Sequence, residues 1–396
     1  MGLFSTATSP QLLRWPATTA AVALVLTLTS CAGSDDTSDT DDQAATSSSA
    51  ASSSAPTTAP TTAGSGDVVA LAAAFAATLS ADQQTSLDQD YSFANAANWS
   101  NLPNGLLGGG GGPGGGPGGG GGGSSSTGRV GLQTDSLSDE QWTALEALLA
   151  AATGSGQDEG FDEVLQHLDA DDYLADNGGG DDYGRGNYFI AFLGAPSATG
   201  TWELQFGGHH LAIANTYVDG ALAGATPSFR GIEPFSTVEE NGDTVQPEQQ
   251  EAAAFAALLT SLSSDQAATA ELSTSYNDIL LGPGNDWAFP TTAEGIAGSA
   301  LSDDQQALVL AAINTYVDDV DDADAAAILA RYQSQLDDTY VAFSGSTSMT
   351  EKGDYIRIDG PSVWIEFSMQ NGIVLSGAHP HAVWRDKQTD YAGTTS

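Results

Sequence analysis

Residues 67–396 of this 396-residue chain carry an internal repeat, and a chain built that way must fold one unit twice. Ala73-Ala74-Phe75-Ala76-Ala77 recurs as Ala253-Ala254-Phe255-Ala256-Ala257. Leu79-Ser80-Ala81-Asp82-Gln83 recurs as Leu262-Ser263-Ser264-Asp265-Gln266, and Leu137-Ser138-Asp139-Glu140-Gln141 as Leu301-Ser302-Asp303-Asp304-Gln305. Asn98-Trp99 with Pro103 returns as Asp286-Trp287 with Pro290, and Ala191-Phe192 with Gly194 as Ala342-Phe343 with Gly345. Gly208, Ile213 and Gly220 then align with Gly360, Ile365 and Gly372 at a single offset, 360 − 208 = 152. The order never changes. We read copy one as 67–235 and copy two as 250–396, packed about a pseudo-twofold axis.

The repeated Leu-Ser-x-Asp/Glu-Gln element has a local physical meaning. Serine followed three residues later by glutamine is a capping box, in which each side chain takes an orphan amide of the first helical turn. Acidic residues between them complement the positive helix end. Helices therefore start after Ser80, Ser138, Ser263 and Ser302, and further helical stretches follow near Phe161–Leu174 and Ala323–Leu336. Each copy then turns to β pattern. In copy one the strands fall in Tyr188–Leu193, Thr201–Phe206, His209–Tyr217 and Ala221–Thr226. In copy two they fall in Thr339–Phe343, Tyr355–Ile358, Val363–Met369 and Gly372–Trp384. Helices followed by antiparallel strands define an α+β unit.

The remaining segments give an address. Residues 18–30 are apolar but too short to span a membrane, with Arg14 ahead of them, as in a secretion signal. They end in Leu28-Thr29-Ser30-Cys31, which resembles a bacterial lipobox; Cys31, the only cysteine, is then the site of lipid attachment. Residues 31–66, rich in Ser, Thr, Ala and Asp, hold too little apolar surface to fold and read as a disordered tether. The expected location is the extracytoplasmic face of the cell membrane, held by a lipid anchor. Residues 104–127 interrupt copy one with a glycine-rich insertion. It has no lysine and so is not a phosphate loop. Nine Lys and Arg against 51 Asp and Glu give a net charge of −42, which excludes a nucleic-acid partner.

Gly207-Gly208-His209-His210-Leu211 followed by Asn215, and Gly194-Ala195-Pro196-Ser197 with Trp202, resemble the central signature of domain-of-unknown-function family 3500. Ile358-Asp359-Gly360-Pro361, Ile365-Glu366-Phe367 and His379-Pro380-His381-Ala382-Val383-Trp384-Arg385-Asp386 resemble its other signature. The resemblance covers about 67–393. At its end this chain reads Asp390-Tyr391-Ala392, with Gly393 one place later than the family's closing glycine. The resemblance implies secretion and a shared fold, and no established activity.

Four of the five histidines fall in these signatures, a pair in each copy. His379 and His381 alternate on an extended segment and share a face, so both imidazoles can reach one ion. Adjacent His209 and His210 cannot. His209 is in phase with Leu211 and Ile213, which look like core, and His210 with Ala212 and Ala214. By the 152 offset His210 matches Ser362, on the face bearing Trp364 and Glu366. If the copies pack about a twofold, His210, His379, His381 and Glu366 meet, with His209 beside them. Three imidazoles and a carboxylate suit a divalent transition metal: zinc, copper, iron or manganese. Arg385, Asp386 and Asn215 are candidates to orient this set.

Three readings stay open at this stage. The chain is a metal-binding lipoprotein, or a metal-dependent hydrolase or oxidoreductase acting on a small molecule at the same site. Otherwise the histidines are buried hydrogen-bonding residues in a noncatalytic ligand-binding domain. His167 reads as an exposed residue on an acidic helix. Asp169–Asp172 and Asp318–Asp324 lack the calcium-loop pattern and read as solvated helix ends and loops.

Overall fold

The computed structural model describes residues 65–107 and 129–395. The expected signal segment, Cys31, nearly all of the tether and residues 108–127 of the expected 104–127 insertion lie outside the described residues. No helix among the described residues is long and apolar enough to cross a membrane.

The chain begins with α1 (Ser65–Thr78), α2 (Ala81–Leu87), β1 (Asp88–Gln89) and α3 (Phe93–Ala96). Then come β2 (Leu132–Gln133), α4 (Asp139–Ala152), α5 (Gly160–Leu174), β3 (Phe189–Leu193), β4 (Thr201–Gly208), β5 (Leu211–Val218), β6 (Ala221–Gly224) and β7 (Ser228–Gly231). A separate hairpin, β8 (Val238–Glu240) and β9 (Asp243–Val245), precedes α6 (Gln249–Ser261) and α7 (Ser264–Ala270). The rest is β10 (Ile296–Ala297), α8 (Asp303–Val317), α9 (Asp322–Gln333), β11 (Tyr340–Ser344), β12 (Tyr355–Asp359), β13 (Val363–Asn371) and β14 (Ala378–Asp386). This is an α+β fold.

All four expected capping boxes are formed, with both reciprocal hydrogen bonds, at Ser80, Ser138, Ser263 and Ser302. Each such cap is worth about 1 kcal/mol. The glutamines do more than cap. Gln83 and Gln141 hydrogen-bond each other through their amides at 3.2 and 3.0 Å, which joins the starts of α2 and α4. Gln266 and Gln305 join α7 and α8 in the same way at 2.9 Å.

Twelve strands form one sheet in the order β1-β3-β4-β5-β7-β14-β13-β12-β11-β10, with β2 on β3 and β6 on β5. It is antiparallel apart from the β1–β3 pair, so the sheet is mixed. Strand period two sorts its side chains. On one face Phe75 of α1 and Leu145 and Leu149 of α4 bury against Ile190, Phe192, Trp202, Leu204 and Phe206. On that same face Phe255 of α6 and Val309 and Ile313 of α8 bury against Ile356, Ile358, Ile365 and Phe367. Side chains of this size contribute roughly 2–3 kcal/mol each on full burial. The opposite face, at the β7–β14 seam, carries a small cluster of Trp99, Ala212, Phe229 and Val383. His379 and His381 stand on that face, and His210 reaches it from the β4–β5 loop.

Several expectations need correction. Strand β5 begins at Leu211, because His209 and His210 form the loop of the β4–β5 hairpin. Strand β14 begins at Ala378, not Gly372. The four-residue strand β7, whose Arg230 is buried, is not visible as a β pattern at all. His167 is buried, not exposed. Asp169, Asp171 and Asp319 are buried as well, because each meets a cationic or histidine partner, Arg185, His209 and Arg230 respectively.

Candidate metal centre

Gly208 pairs with Leu211, so His209 and His210 turn the chain in two residues. His210 takes the left-handed conformation, φ 60°, which histidine adopts more readily than most non-glycine residues. The preceding Gly208 leaves room for a ring: a Cβ there would lie 2.6 Å from the Tyr188 ring. The Tyr188 hydroxyl in turn donates to the His209 carbonyl at 2.8 Å, which holds the loop.

Strand β14 brings the second half of the site. His379 and His381 alternate on it, and β7 pairs with it so that His381 faces Gly231. The His210 ring lies over that glycine; a Cβ at Gly231 would stand 3.3 Å from His210 Cδ2 and 2.9 Å from the Pro380 carbonyl. The outcome is a three-histidine cluster. One ring nitrogen from each of His210, His379 and His381 lies within 4.8 Å of the others. The Nε2 atoms of His210 and His381 are 3.2 Å apart. Ring centroids of the three are all separated by 5.1 Å.

Protonation follows from the partners. His381 Nδ1 is 3.0 Å from Asp278 Oδ1, and a carboxylate only accepts, so Nδ1 carries the proton and Nε2 faces inward to His210. This is the carboxylate–histidine arrangement that orients metal ligands. His379 is buried, and neither of its ring nitrogens has a hydrogen-bond partner. Burial, and then the neighbouring His381, push its pKa down to about 2. Burial and the rings of His209 and His381 hold His210 well below the usual histidine range. Three imidazoles, each with a ring nitrogen within reach of one ion, are a transition-metal ligand set.

His209 stays outside it. Its Nδ1 bonds Asp171 at 2.6 Å, and its ring stacks on His210 with centroids 3.7 Å apart. It braces the ligand. Glu366 shares the histidine face by register, but its two oxygens accept from Leu280 N, Leu281 N, Tyr355 Oη and Trp364 Nε1 at 2.7–2.9 Å. It pins the loop before β10 and lies outside the group. Arg385 binds Asp286 and Asp390, each at 3.0 Å. Asp386 takes Arg331 and Tyr332, and Asn215 donates to the Ala152 carbonyl. None of these three bonds a histidine. The carboxylate that bonds one of the three clustered histidines, Asp278, sits in a loop 103 positions away with no sequence signal.

A mouth exists on two sides. The His381 side chain is 13% exposed and that of Asp278 54%. His379 lines a cavity of ≈ 240 Å³ with Glu233, Phe235 and Leu375.

The fold and the site together define an α+β protein with a three-histidine cluster on the face of a mixed sheet opposite α1, α4, α6 and α8. Residues 124–393, more than half of the chain, match the model of the family described as protein of unknown function (DUF3500), and the chain belongs to that family. Helices α1–α3 lie before the matched region. No curated protein and no solved structure matches the chain.

Proposed function

We propose that this is an extracytoplasmic lipoprotein, anchored through Cys31, whose domain binds one divalent transition metal through His210, His379 and His381. The observation that carries the reading is His379, a buried imidazole with two unpartnered nitrogens beside two other histidines. A buried polar group left without a partner costs roughly 1–3 kcal/mol, and an ion would supply the partner. Spacing agrees. Ligands at Zn–N distances of 2.0–2.1 Å in a tetrahedron stand about 3.3 Å apart, against 3.2 Å for His210 and His381. With Glu366 engaged elsewhere, the all-imidazole set favours zinc or copper(II) over manganese.

The site draws on both halves of a duplicated chain. Support for the duplication comes from element order, since α1, α2, β2, α4, α5 and β3–β5 run like α6, α7, β10, α8, α9 and β11–β13. Support for a pseudo-twofold comes from the seam. Arg230 of β7 pairs directly with Ala382 of β14, and 382 − 230 = 152, the repeat offset itself. A residue opposite its own equivalent is what a twofold between the strands requires. The equivalent of His381 is then Phe229 and that of His210 is Ser362, so one copy of the site exists and not two.

A second reading, a metal-dependent hydrolase or oxidoreductase, is favoured by the count of ligands. Three histidines leave a coordination position, and the exposed edge of His381 lets water or substrate reach it. Metal analysis of the protein purified without chelator or His tag tests the first reading. Binding of one zinc or copper, lost in His379→Ala plus His381→Ala, is expected; unchanged metal content in that variant would sink it. Membrane fractionation of wild type against Cys31→Ala tests the anchor.

A further inference from the structure

We propose that Glu163, His167, Glu248 and Glu251 form a second, oxygen-rich metal site that takes a divalent first-row ion, Mn²⁺ or Zn²⁺, and ties α5 to the start of α6.

The cluster lies on the helix side of β7, across the sheet from the three histidines. Arg230 and Phe229 are neighbours on β7 and so point to opposite faces. Phe229 packs on His381, and Arg230 reaches Glu163 and Asp319. Glu163 and His167 are one helical turn apart on α5 and project together. Glu248 caps α6 from a left-handed backbone, φ 66°, with no side-chain capping bond, and Glu251 follows on the first turn. Left-handed glutamate is unfavourable, and such strain recurs at binding sites.

These four residues are between 1% and 2% exposed. Ligand atoms of Glu163, His167 and Glu248 lie within 4.8 Å of one another, with His167 Nε2 3.7 Å from Glu248 Oε1. All six oxygens of Glu163, Glu248 and Glu251 lack a hydrogen bond, and so does His167 Nε2. The His167 tautomer sharpens the point. Its Nδ1 is 2.9 Å from the Glu163 carbonyl, which only accepts, so Nδ1 bears the proton. Nε2 then directs a lone pair at a carboxylate oxygen 3.7 Å away, a contact that either a shared proton or a cation between them relieves. The Gly231 carbonyl also faces this ring without reaching hydrogen-bond geometry.

A bound cation would let these buried carboxylates ionise. Glu163, Glu248, Glu251 and Asp319 face one guanidinium, Arg230, whose Nη2 is already 3.0 Å from Asp319. Burial, and then the neighbouring carboxylates, push all three glutamates well above the usual carboxylate range. Uncompensated charge at this depth costs several kcal/mol per ion. Three carboxylates and one imidazole suit manganese, iron or zinc, whereas the all-imidazole cluster suits zinc or copper. Entry is provided by a cleft of ≈ 500 Å³ lined by Glu163, Gln166, Gln246 and Glu248.

The test uses the full chain carrying His379→Ala and His381→Ala, so that the other centre is absent. Elemental analysis and Mn²⁺ titration should find one bound ion, with Tm raised by Mn²⁺ or Zn²⁺ and lowered by chelator. Adding Glu248→Gln and Glu251→Gln should weaken binding by at least about 100-fold, beyond the 10- to 100-fold loss typical of a supporting group. Equal binding with and without the glutamine substitutions overturns the site. So does a Tm of the His379→Ala/His381→Ala protein that neither ion moves, whether or not the glutamine variants fold.

Discussion

The Nε2 atoms of His210 and His381 meet at 3.2 Å across 171 positions of chain. A hairpin loop supplies one and the strand at the centre of the sheet the other. Nothing local holds the pair together, so its behaviour reports on the tertiary fold.

Asp278→Asn tests how His381 is prepared. The carboxylate fixes the proton on Nδ1 at 3.0 Å; an amide can present its NH₂ instead and leave the wrong nitrogen facing the ion. We expect metal affinity at the three-histidine site to fall about 10- to 100-fold with Tm little changed, since Asp278 is more than half exposed. Calorimetric titration with zinc reads this. An affinity equal to wild type would remove Asp278 from the site.

Gly231→Ala tests the floor under His210. The added methyl would press on His210 Cδ2 at 3.3 Å and on the Pro380 carbonyl at 2.9 Å. Overpacking of this kind costs about 1–3 kcal/mol. The expected result is a folded protein of lower Tm with weakened zinc binding. Full zinc affinity at reduced Tm would mean that the His210 ring is not held by this contact.

Glu203 predicts a pH dependence of stability away from both clusters. It is fully buried on β4, and burial raises its pKa to about 7, with the Thr216 hydroxyl opposing part of that shift. The unfolded chain ionises this carboxyl near 4.5, while the folded chain keeps its proton up to about 7. Stability from this group is therefore intact below 4.5 and declines as pH rises to 7. The loss amounts to about 3 kcal/mol. Glu203→Gln should match wild type at pH 4 and exceed it at pH 8 in urea unfolding. An equal difference at both values would refute the assignment.

Ser302→Ala removes one capping box. The hydroxyl accepts from Gln305 N at 3.3 Å, and Gln305 also holds Gln266. A loss of about 1 kcal/mol is expected, at the upper end of the usual range if the glutamine pair loosens too. Thermal melts of Ser302→Ala against Gln266→Ala and the double variant would show whether cap and pair couple. Strict additivity would mean they act separately.

The sequence by itself determined what depends on neighbours along the chain. Capping boxes need four consecutive residues, and all four appear where serine and glutamine place them. Period two on β14 put His379 and His381 on one face without knowledge of any other strand. Family membership was legible from the same strings. Tertiary structure decided the rest, because a side chain's partner is chosen by register, loop path and burial. Glu366 lies on the expected face yet meets Leu280, Leu281, Tyr355 and Trp364 instead of an ion. His209 lies one residue from a ligand, but the hairpin turns it toward Asp171. Asp278 joins His381 only because a loop crosses that face. His167 looked like a solvated residue on an acidic helix until β7, with its single buried arginine, closed over it. Composition records how many charges the chain holds; only the packed fold decides which of them must find a partner away from water.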